Sequence, residues 1–317
     1  MVYLIVIIVL FVSELLYFKV AERYNIIDKP NERSSHTQIT LRGGGIIYWI
    51  AAVLFTAFHL STFSTLFLLG ITLMGGISFL DDIKNVSQKI RLLIHLAGMT
   101  FAFLAVNAFV TYPWWVILLA YIVFIGIVNA YNFMDGINGI TGLYTIAVLL
   151  PMLYVNEKLF IFTNTDFLIY PLLASLVFLF FNFRKRAKCF AGDVGSVSVA
   201  FWVVVLLLIL IVKTESLVWI GFLIVYGVDT VLTILHRIFL KQNIMEAHRL
   251  HFHQILVNER KFSHLLVSTI YFVAQLLCSA LIIYFFPIIG WWIIGILLLL
   301  LVGIYMLKFK IMSKPAV

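Results

Sequence analysis

The sequence predicts an all-α polytopic membrane protein of about eleven transmembrane helices. It forms a single integral membrane domain over residues 1–317, with the N-terminus outside, the C-terminus cytoplasmic and its active site on cytoplasmic loops. Composition points there first: hydrophobic residues make up 63% of the chain and charged residues only 11%, against about 25% charged in an ordinary soluble domain. A water-soluble fold could not hide so much apolar surface, because surface-to-volume scaling caps what a core can bury. Uninterrupted apolar runs at 2–17, 46–69, 92–110, 114–128, 197–212 and 288–307 each suit a membrane span. Charge then falls on one side of those spans.

In chain order the spans are expected at 2–18, 44–62, 64–80, 92–110, 114–131, 137–155, 166–182, 195–212, 216–238, 265–286 and 289–307. The first run lacks a basic leader and a small-residue cleavage site, so it reads as a retained span and not a signal peptide. Between the spans, long polar stretches at 21–42, 81–91, 183–193 and 241–264 alternate with short outside turns at 61–64, 111–113, 156–166 and 213–216 and a corner at Pro287. With the N-terminus outside, only Lys158 and Lys213 of the 22 Lys and Arg lie on the outer side. The positive-inside rule therefore assigns the elaborate loops to the cytoplasm. The net charge of +8 is mainly this topology signal, although some basic residues could instead face a polyanionic substrate or anionic headgroups. Nucleic acid is excluded as a partner, since there is no separate basic domain and no binding module. Two cysteines, Cys189 and Cys278, offer at most one disulfide and no metal-binding spacing.

Four polar motifs interrupt this pattern. The adjacent carboxylates Asp81 and Asp82 stand where the third span meets the cytoplasm. They suit a divalent cation, phosphate chemistry or proton transfer, because close like charges raise a pKa unless a cation compensates; a solvated helix end is the alternative. Asn129, Asn132 and Asp135 recur every third residue and share one sector of a helix. Such groups are expensive in lipid unless they face a wet cavity, and Gly136 and Gly139 then break the helix. The alternative is a structural polar seam. Gly192-Asp193-Val194-Gly195-Ser196 follows the basic cluster at 184–188 and opens the next span. It combines close backbone approach, a hard oxygen ligand and helix N-terminal amides that attract phosphate, or else is an ordinary cap. His248-Arg249-Leu250-His251-Phe252-His253 could hold phosphate oxygens, a metal or a proton in flight, or be a plain surface histidine run. Two more acids lie in or beside apolar runs: Glu14, read as structural, and Asp229, read as functional.

In this order the four motifs resemble those of the polyprenyl-phosphate N-acetylhexosamine-1-phosphate transferases, membrane enzymes that start peptidoglycan lipid intermediates, O-antigen and teichoic acid linkage units. The likeness runs from Asp28 to about Leu256 and includes Asp28-Lys29-Pro30-Asn31-Glu32-Arg33-Ser34-Ser35-His36 and Leu41-Arg42-Gly43-Gly44-Gly45. The Arg-Ser-Ser-His form resembles the O-antigen and capsule branch most. Residue by residue, the resemblance implies that Asp193 ligates Mg²⁺, with Mn²⁺ as the alternative, and that Phe190 stacks on uracil. Asp81 and Asp82 would flank the reacting phosphates, Asn132 and Asp135 would lie beside the nucleotide diphosphate, and Lys89 would neutralise phosphate charge. His251 and His253 would face the sugar diphosphate, while Arg42 and His36 would help form the cytoplasmic site. Asn129, Asn138, His248 and Arg249 complete the expected substrate-binding set. Two departures stand out: Asn138 where many relatives carry Asp, and Gln254 where many extend the histidine run.

The implied reaction joins a UDP-N-acetylhexosamine to a polyprenyl phosphate in the bacterial cytoplasmic membrane, releasing UMP, and a homodimer fits the resemblance. The lipid bilayer delivers the acceptor phosphate at headgroup depth, so an attack there needs cations to relieve repulsion from an anionic donor. A secondary transporter with a cytoplasmic acidic gate is the rival from another class. It would need a polar path to the outer face, where the turns are sparse.

Overall fold

The computed structural model describes residues 1–28, 39–243 and 248–312, and it is 80% helical. Lipid dictates that form, because no water is present there to satisfy a bare peptide group. In order the helices are α1 (Val2–Arg23), α2 (Ile47–Phe58), α3 (Thr62–Ile83), α4 (Gln88–Ala105), the one-turn α5 (Ala108–Thr111), α6 (Trp114–Met134) and α7 (Ile140–Tyr154). There follow α8 (Thr165–Asn182), α9 (Gly192–Thr214), α10 (Ile224–Phe239), the short α11 (Phe252–Asn258), α12 (His264–Ile289) and α13 (Trp292–Ile311). Strands β1 (Ile27–Asp28) and β2 (Thr40–Leu41) pair antiparallel, Ile27 opposite Leu41. Among the described residues nine helical segments are long and apolar enough to cross a membrane.

Burial sorts these segments by position. The most apolar stretch of α9 is 89% buried, whereas those of α12 and α13 are each 22% buried. An all-round apolar helix that is also enclosed is the centre of the bundle; one that is apolar but open presents its side chains to lipid. Small residues let α9 sit so deep. Gly195 packs directly on Gly45, and a Cβ on Gly75 would meet the Ser198 hydroxyl at 2.6 Å, the close approach that Gly and Ser permit between membrane helices.

Contacts between helix ends define two faces. On one, the Tyr3 hydroxyl of α1 donates to Asp166 of α8 at 2.7 Å, and His59, just after α2, meets the other carboxylate oxygen of Asp166 at 2.7 Å. On the opposite face Arg42, Asp82, Arg91 and Asp193 meet, which places there the ends of α3 and the starts of α4 and α9. The helices α2 and α4 run between the same two faces as their longer neighbours. With its leading 3-10 turn, α2 covers only Gly44–Phe58 and so falls short of the usual span length.

Several boundaries differ from those expected. The span expected at 92–110 is α4 and α5, separated at Asn107, whose φ of 55° lies in the left-handed region that Asn tolerates. That expected at 44–62 stops at Phe58, because Ser61 and Ser64 form a reciprocal cap that starts α3. Pro287 is not a corner: it lies inside α12, and the chain turns at Gly290, φ 58°. The 241–264 stretch, expected as loop, contains α11. Both cysteines are buried and free.

Candidate active site

The site is built on a crossing of two backbone segments. Leu41 forms a parallel bridge to Cys189, the Phe190 amide donates to the Leu41 carbonyl at 2.8 Å, and the Gly44 and Gly45 amides donate to the Phe190 and Ala191 carbonyls at 2.9 and 3.0 Å. Glycine is required here. Gly43 and Gly192 have φ of 81° and 69°, and a Cβ on Gly192 would stand 2.6 Å from a carboxylate oxygen of Asp82 and 2.8 Å from the Gly43 nitrogen. Glu14 of α1 lies beneath this crossing, fully buried, and accepts from the Cys189 thiol at 3.5 Å. Burial first, then Glu14, pushes that thiol's pKa well up. One turn on, the Tyr17 hydroxyl donates to the Arg42 carbonyl at 2.7 Å, so α1 supports the segment that carries Arg42.

The adjacent aspartates have different surroundings. Asp82, its side chain fully buried, accepts from the Asp193 and Val194 amides at 2.9 and 3.0 Å and from Arg42 Nε at 2.7 Å. It therefore caps the N-terminus of α9 from another helix, where free amides and the helix dipole favour an anion. Asp81 accepts from the Val86 amide at 2.7 Å and from Arg91 at 2.6 Å, and remains partly open. Asp193 is held more loosely: Arg42, Arg91 and Asn132 each approach its carboxylate at 3.3 Å. Around Arg42 burial opposes the charge, yet Asp82 and Asp193 outweigh it and raise the guanidinium pKa.

The end of α6 connects this cluster to a second one. Asn132 donates to Asp193, and its carbonyl oxygen accepts from the Ser196 hydroxyl at 3.0 Å. Asp135, one turn on, accepts from Thr141 at 2.5 Å. Burial pushes its carboxyl up to about 6, against the Thr141 bond and with the help of Asp193. Gly136 follows, and a Cβ there would lie 3.2 Å from His253 Nε2. Beyond stands the buried carboxylate of Asp229 in α10. It accepts from the Phe252 amide at 3.0 Å, the Thr233 hydroxyl at 3.2 Å and the Tyr271 hydroxyl at 2.6 Å. His251 Nδ1 lies 3.3 Å from one of its oxygens and His253 Nδ1 3.5 Å from the other. Burial lowers the pKa of His253 although Asp229 opposes it, and burial together with His251 brings His248 down to about 3.

Of the residues singled out from sequence, Arg42, Asp81, Asp82, Asn132 and Asp193 are thus in one bonded cluster, and Asp135, His251 and His253 adjoin it through the end of α6. His248 packs beside His251, ring centroids 4.9 Å apart. Phe190 is half-buried, three residues before Asp193, and Asn129 is half-buried one turn before Asn132. Lys89 and Arg249 are exposed; Arg91, two residues beyond Lys89, is the base that grips Asp81 and Asp193. Asn138 is buried and braces loops: its amide donates to the Arg184 carbonyl at 2.8 Å and its carbonyl accepts from Ser268 at 2.7 Å. Gln254 is buried too, its oxygen capping the His251 amide at 3.3 Å. His36 lies outside the described residues. Sequence reasoning passed over Arg91, Thr141 and Tyr271. A base near a helix start was visible for Arg91, but nothing local marks a hydroxyl on another helix.

Beside α6, α10, α13 and the segment Leu217–Leu223 lies a half-open apolar cavity of about 520 Å³, lined by residues such as Ile127, Tyr131, Gly227, Val231 and Leu298. Tyr131, which lines this cavity, is the chain neighbour of Asn132 in the polar cluster.

Comparisons with known proteins extend the picture. The family model for glycosyl transferase family 4 matches residues 64–211, a stretch holding Asp81, Asp82, Asn132, Asp135 and Asp193. A probable undecaprenyl-phosphate N-acetylglucosaminyl 1-phosphate transferase of Bacillus subtilis is 30% identical over 264 residues, 75% of this chain and 72% of the relative. The phospho-N-acetylmuramoyl-pentapeptide-transferase of Thermotoga neapolitana is 29% identical over 265 residues, 78% of this chain and 85% of the relative. The undecaprenyl-phosphate alpha-N-acetylglucosaminyl 1-phosphate transferase of Escherichia coli K12 is 27% identical over 223 residues, 63% of this chain and 59% of the relative.

Proposed function

The chain belongs to glycosyl transferase family 4, and from that membership we propose that it transfers an N-acetylhexosamine 1-phosphate from a UDP-sugar to undecaprenyl phosphate. The donor would be UDP-N-acetylglucosamine or a UDP-N-acetylated deoxyhexose, and the lipid-linked product would start a cell-surface polysaccharide. One observation carries the reading: Arg42, Asp81, Asp82, Arg91, Asn132 and Asp193 come from five separate segments yet share one bonded cluster at a single face of the bundle. Paired acids and bases at that depth suit phosphate chemistry. The cavity beside α6, α10 and α13 suits a prenyl tail, since it is apolar and lined by Tyr131, the chain neighbour of Asn132. The Lys and Arg distribution supports a cytoplasmic orientation for this face.

In the proposed reaction an oxygen of the lipid phosphate attacks the β-phosphorus of the donor. The bond from that phosphorus to the oxygen bridging the two phosphates breaks, and UMP leaves with the electron pair. Arg42 and Arg91 offset the charge of two anionic substrates brought together. Asp82 already accepts three bonds, which leaves it the part of holding the α9 amides and Arg42. Asp135, with its carboxyl pushed up to about 6, matches the second ionisation of a phosphate monoester, about 6, and would take the acceptor's proton. Asp193 fits Mg²⁺, which is commonly held by one or two carboxylates plus substrate phosphates. Its carboxylate is partly exposed and its neighbours stand off at 3.3 Å. Among the described residues no group of three or more His, Cys, Asp or Glu forms a protein-only cage, which also favours a metal shared with the donor. Bound there, the ion would stabilise charge on the transferred phosphoryl group.

The test is UMP release by the purified protein with Mg²⁺, undecaprenyl phosphate and a panel of UDP-N-acetylhexosamines. Release that requires both lipid and metal supports the proposal and names the sugar. A folded protein that releases UMP from no donor refutes it.

A further inference from the structure

Asp229 is the residue whose surroundings most exceed what a packed helix needs. An acid within an apolar segment is costly unless it is fully engaged, and this one gathers groups from three directions. Thr233 is on its own helix, Tyr271 comes from α12, and the Phe252 amide with His251 and His253 comes from the segment leading into α11. The two imidazoles lie nearly parallel, 22° between planes with centroids 5.7 Å apart. Each turns Nδ1 toward Asp229, and the Nε2 atom of each is buried without a hydrogen-bond partner. His253 Nδ1, 3.5 Å from Asp229, also makes no hydrogen bond, and buried imidazole nitrogens left without a partner carry an unmet desolvation cost that a ligand would relieve. His253 Nε2 faces Gly136, next to Asp135, at the junction with the acidic cluster.

We propose that Asp229 is a positioning residue of the transferase: one oxygen of its carboxylate anchors the Phe252 backbone and His251, the other favours the Nδ1–H tautomer of His253, and the two Nε2 atoms are thereby presented to the donor's phosphate or sugar oxygens. The inference rests on the function proposed above. A carboxylate on one imidazole nitrogen fixes tautomer and ring orientation and leaves the other nitrogen for the ligand. Asn at position 229 keeps the shape and leaves its one acceptor oxygen on the Phe252 amide and His251, so its NH₂ turns toward Tyr271 and His253 and favours the lone pair on His253 Nδ1.

The test compares wild type, Asp229→Asn and Tyr271→Phe in lipid nanodiscs. For Asp229→Asn, kcat falls about 10- to 100-fold, the range typical when such an outer partner is lost, while the KM for undecaprenyl phosphate stays within about 2-fold of wild type. Tyr271→Phe, which removes only one bond to the carboxylate, shows the same split with a smaller loss. Nitrogen-15 NMR of histidine-labelled protein, assigned by a His253→Asn control, reads the tautomer without any turnover: Nδ1–H at His253 in wild type, Nε2–H there in Asp229→Asn. Wild-type kcat in a folded Asp229→Asn protein, or an Nε2–H tautomer at His253 in wild type, overturns the proposal. If wild type itself releases no UMP from any donor, the function proposed above fails, whereas the NMR arm still decides whether Asp229 sets the tautomer.

Discussion

Asp82 and Asp81 are neighbours in sequence with different surroundings, and replacing each by Asn should separate structure from chemistry. Asp82 is fully buried and accepts two amides of α9 and Arg42 Nε. An Asn side chain keeps one oxygen and points its NH₂ at a donor, so at least one amide or the guanidinium loses its acceptor. Stranding a buried donor costs about 1–3 kcal/mol, and breaking a buried ion pair costs about 3–5 kcal/mol. These figures overlap because they share Arg42, so a total of about 3–5 kcal/mol is expected. At about 2 °C per kcal/mol for a large domain, the apparent unfolding midpoint should fall by about 6–10 °C. Asp81 makes a partly open pair with Arg91, and such pairs are worth about 0–1 kcal/mol. Asp81→Asn should therefore move the midpoint by less than about 2 °C while reducing UMP release. The assay is thermal unfolding of both variants in one detergent at one scan rate, beside UMP release. An unchanged midpoint for Asp82→Asn with turnover abolished would refute the assignment, since Asp82 would then act chemically and not as the cap of α9.

Three further outcomes follow from the same geometry. Asp193→Asn should abolish transfer, and wild-type turnover of the folded variant at limiting Mg²⁺ would remove Asp193 as the metal ligand. Phe190→Ala should raise the KM for the UDP-sugar more than that for the lipid; equal increases would argue against stacking on the base. Asp135 has its folded-state carboxyl raised to about 6, so the folded protein holds this proton more tightly than the unfolded chain does. Its contribution therefore lowers stability as pH rises from about 4, the unfolded carboxylate value, through about 6, and the loss is complete above that. Asp135→Asn should raise the unfolding midpoint at pH 8 but not at pH 4, and should lower UMP release at both. A midpoint unchanged at both pH values would contradict the burial of a charged Asp135.

The membrane class, the approximate spans and the chemistry-bearing motifs were all legible in the sequence. Hydropathy is a sum over neighbouring residues, and a bilayer turns that sum into helix with little help from the rest of the chain. Local spacing likewise put Asn129 and Asn132 on one helix sector and Gly192 to Ser196 at a helix start, where the structure has them, whereas Asp135, expected on the same sector, falls just past the end of α6 at Met134. Tertiary packing decided the remainder. Only the crossing of α3 and α9 makes Asp82 the cap of a helix that begins 110 residues later in the chain. The choice of Arg91 over Lys89 as the base beside Asp193 depends on which face of α4 turns inward. Asn138 sits in a motif, yet its side chain is taken up by the Arg184 carbonyl, which a separate loop presents. The sequence alone therefore determined which residues are too polar for lipid. Where each finds its partner was left to helix packing, because hydrogen bonds between residues more than a hundred positions apart depend on how whole helices cross and not on any local pattern.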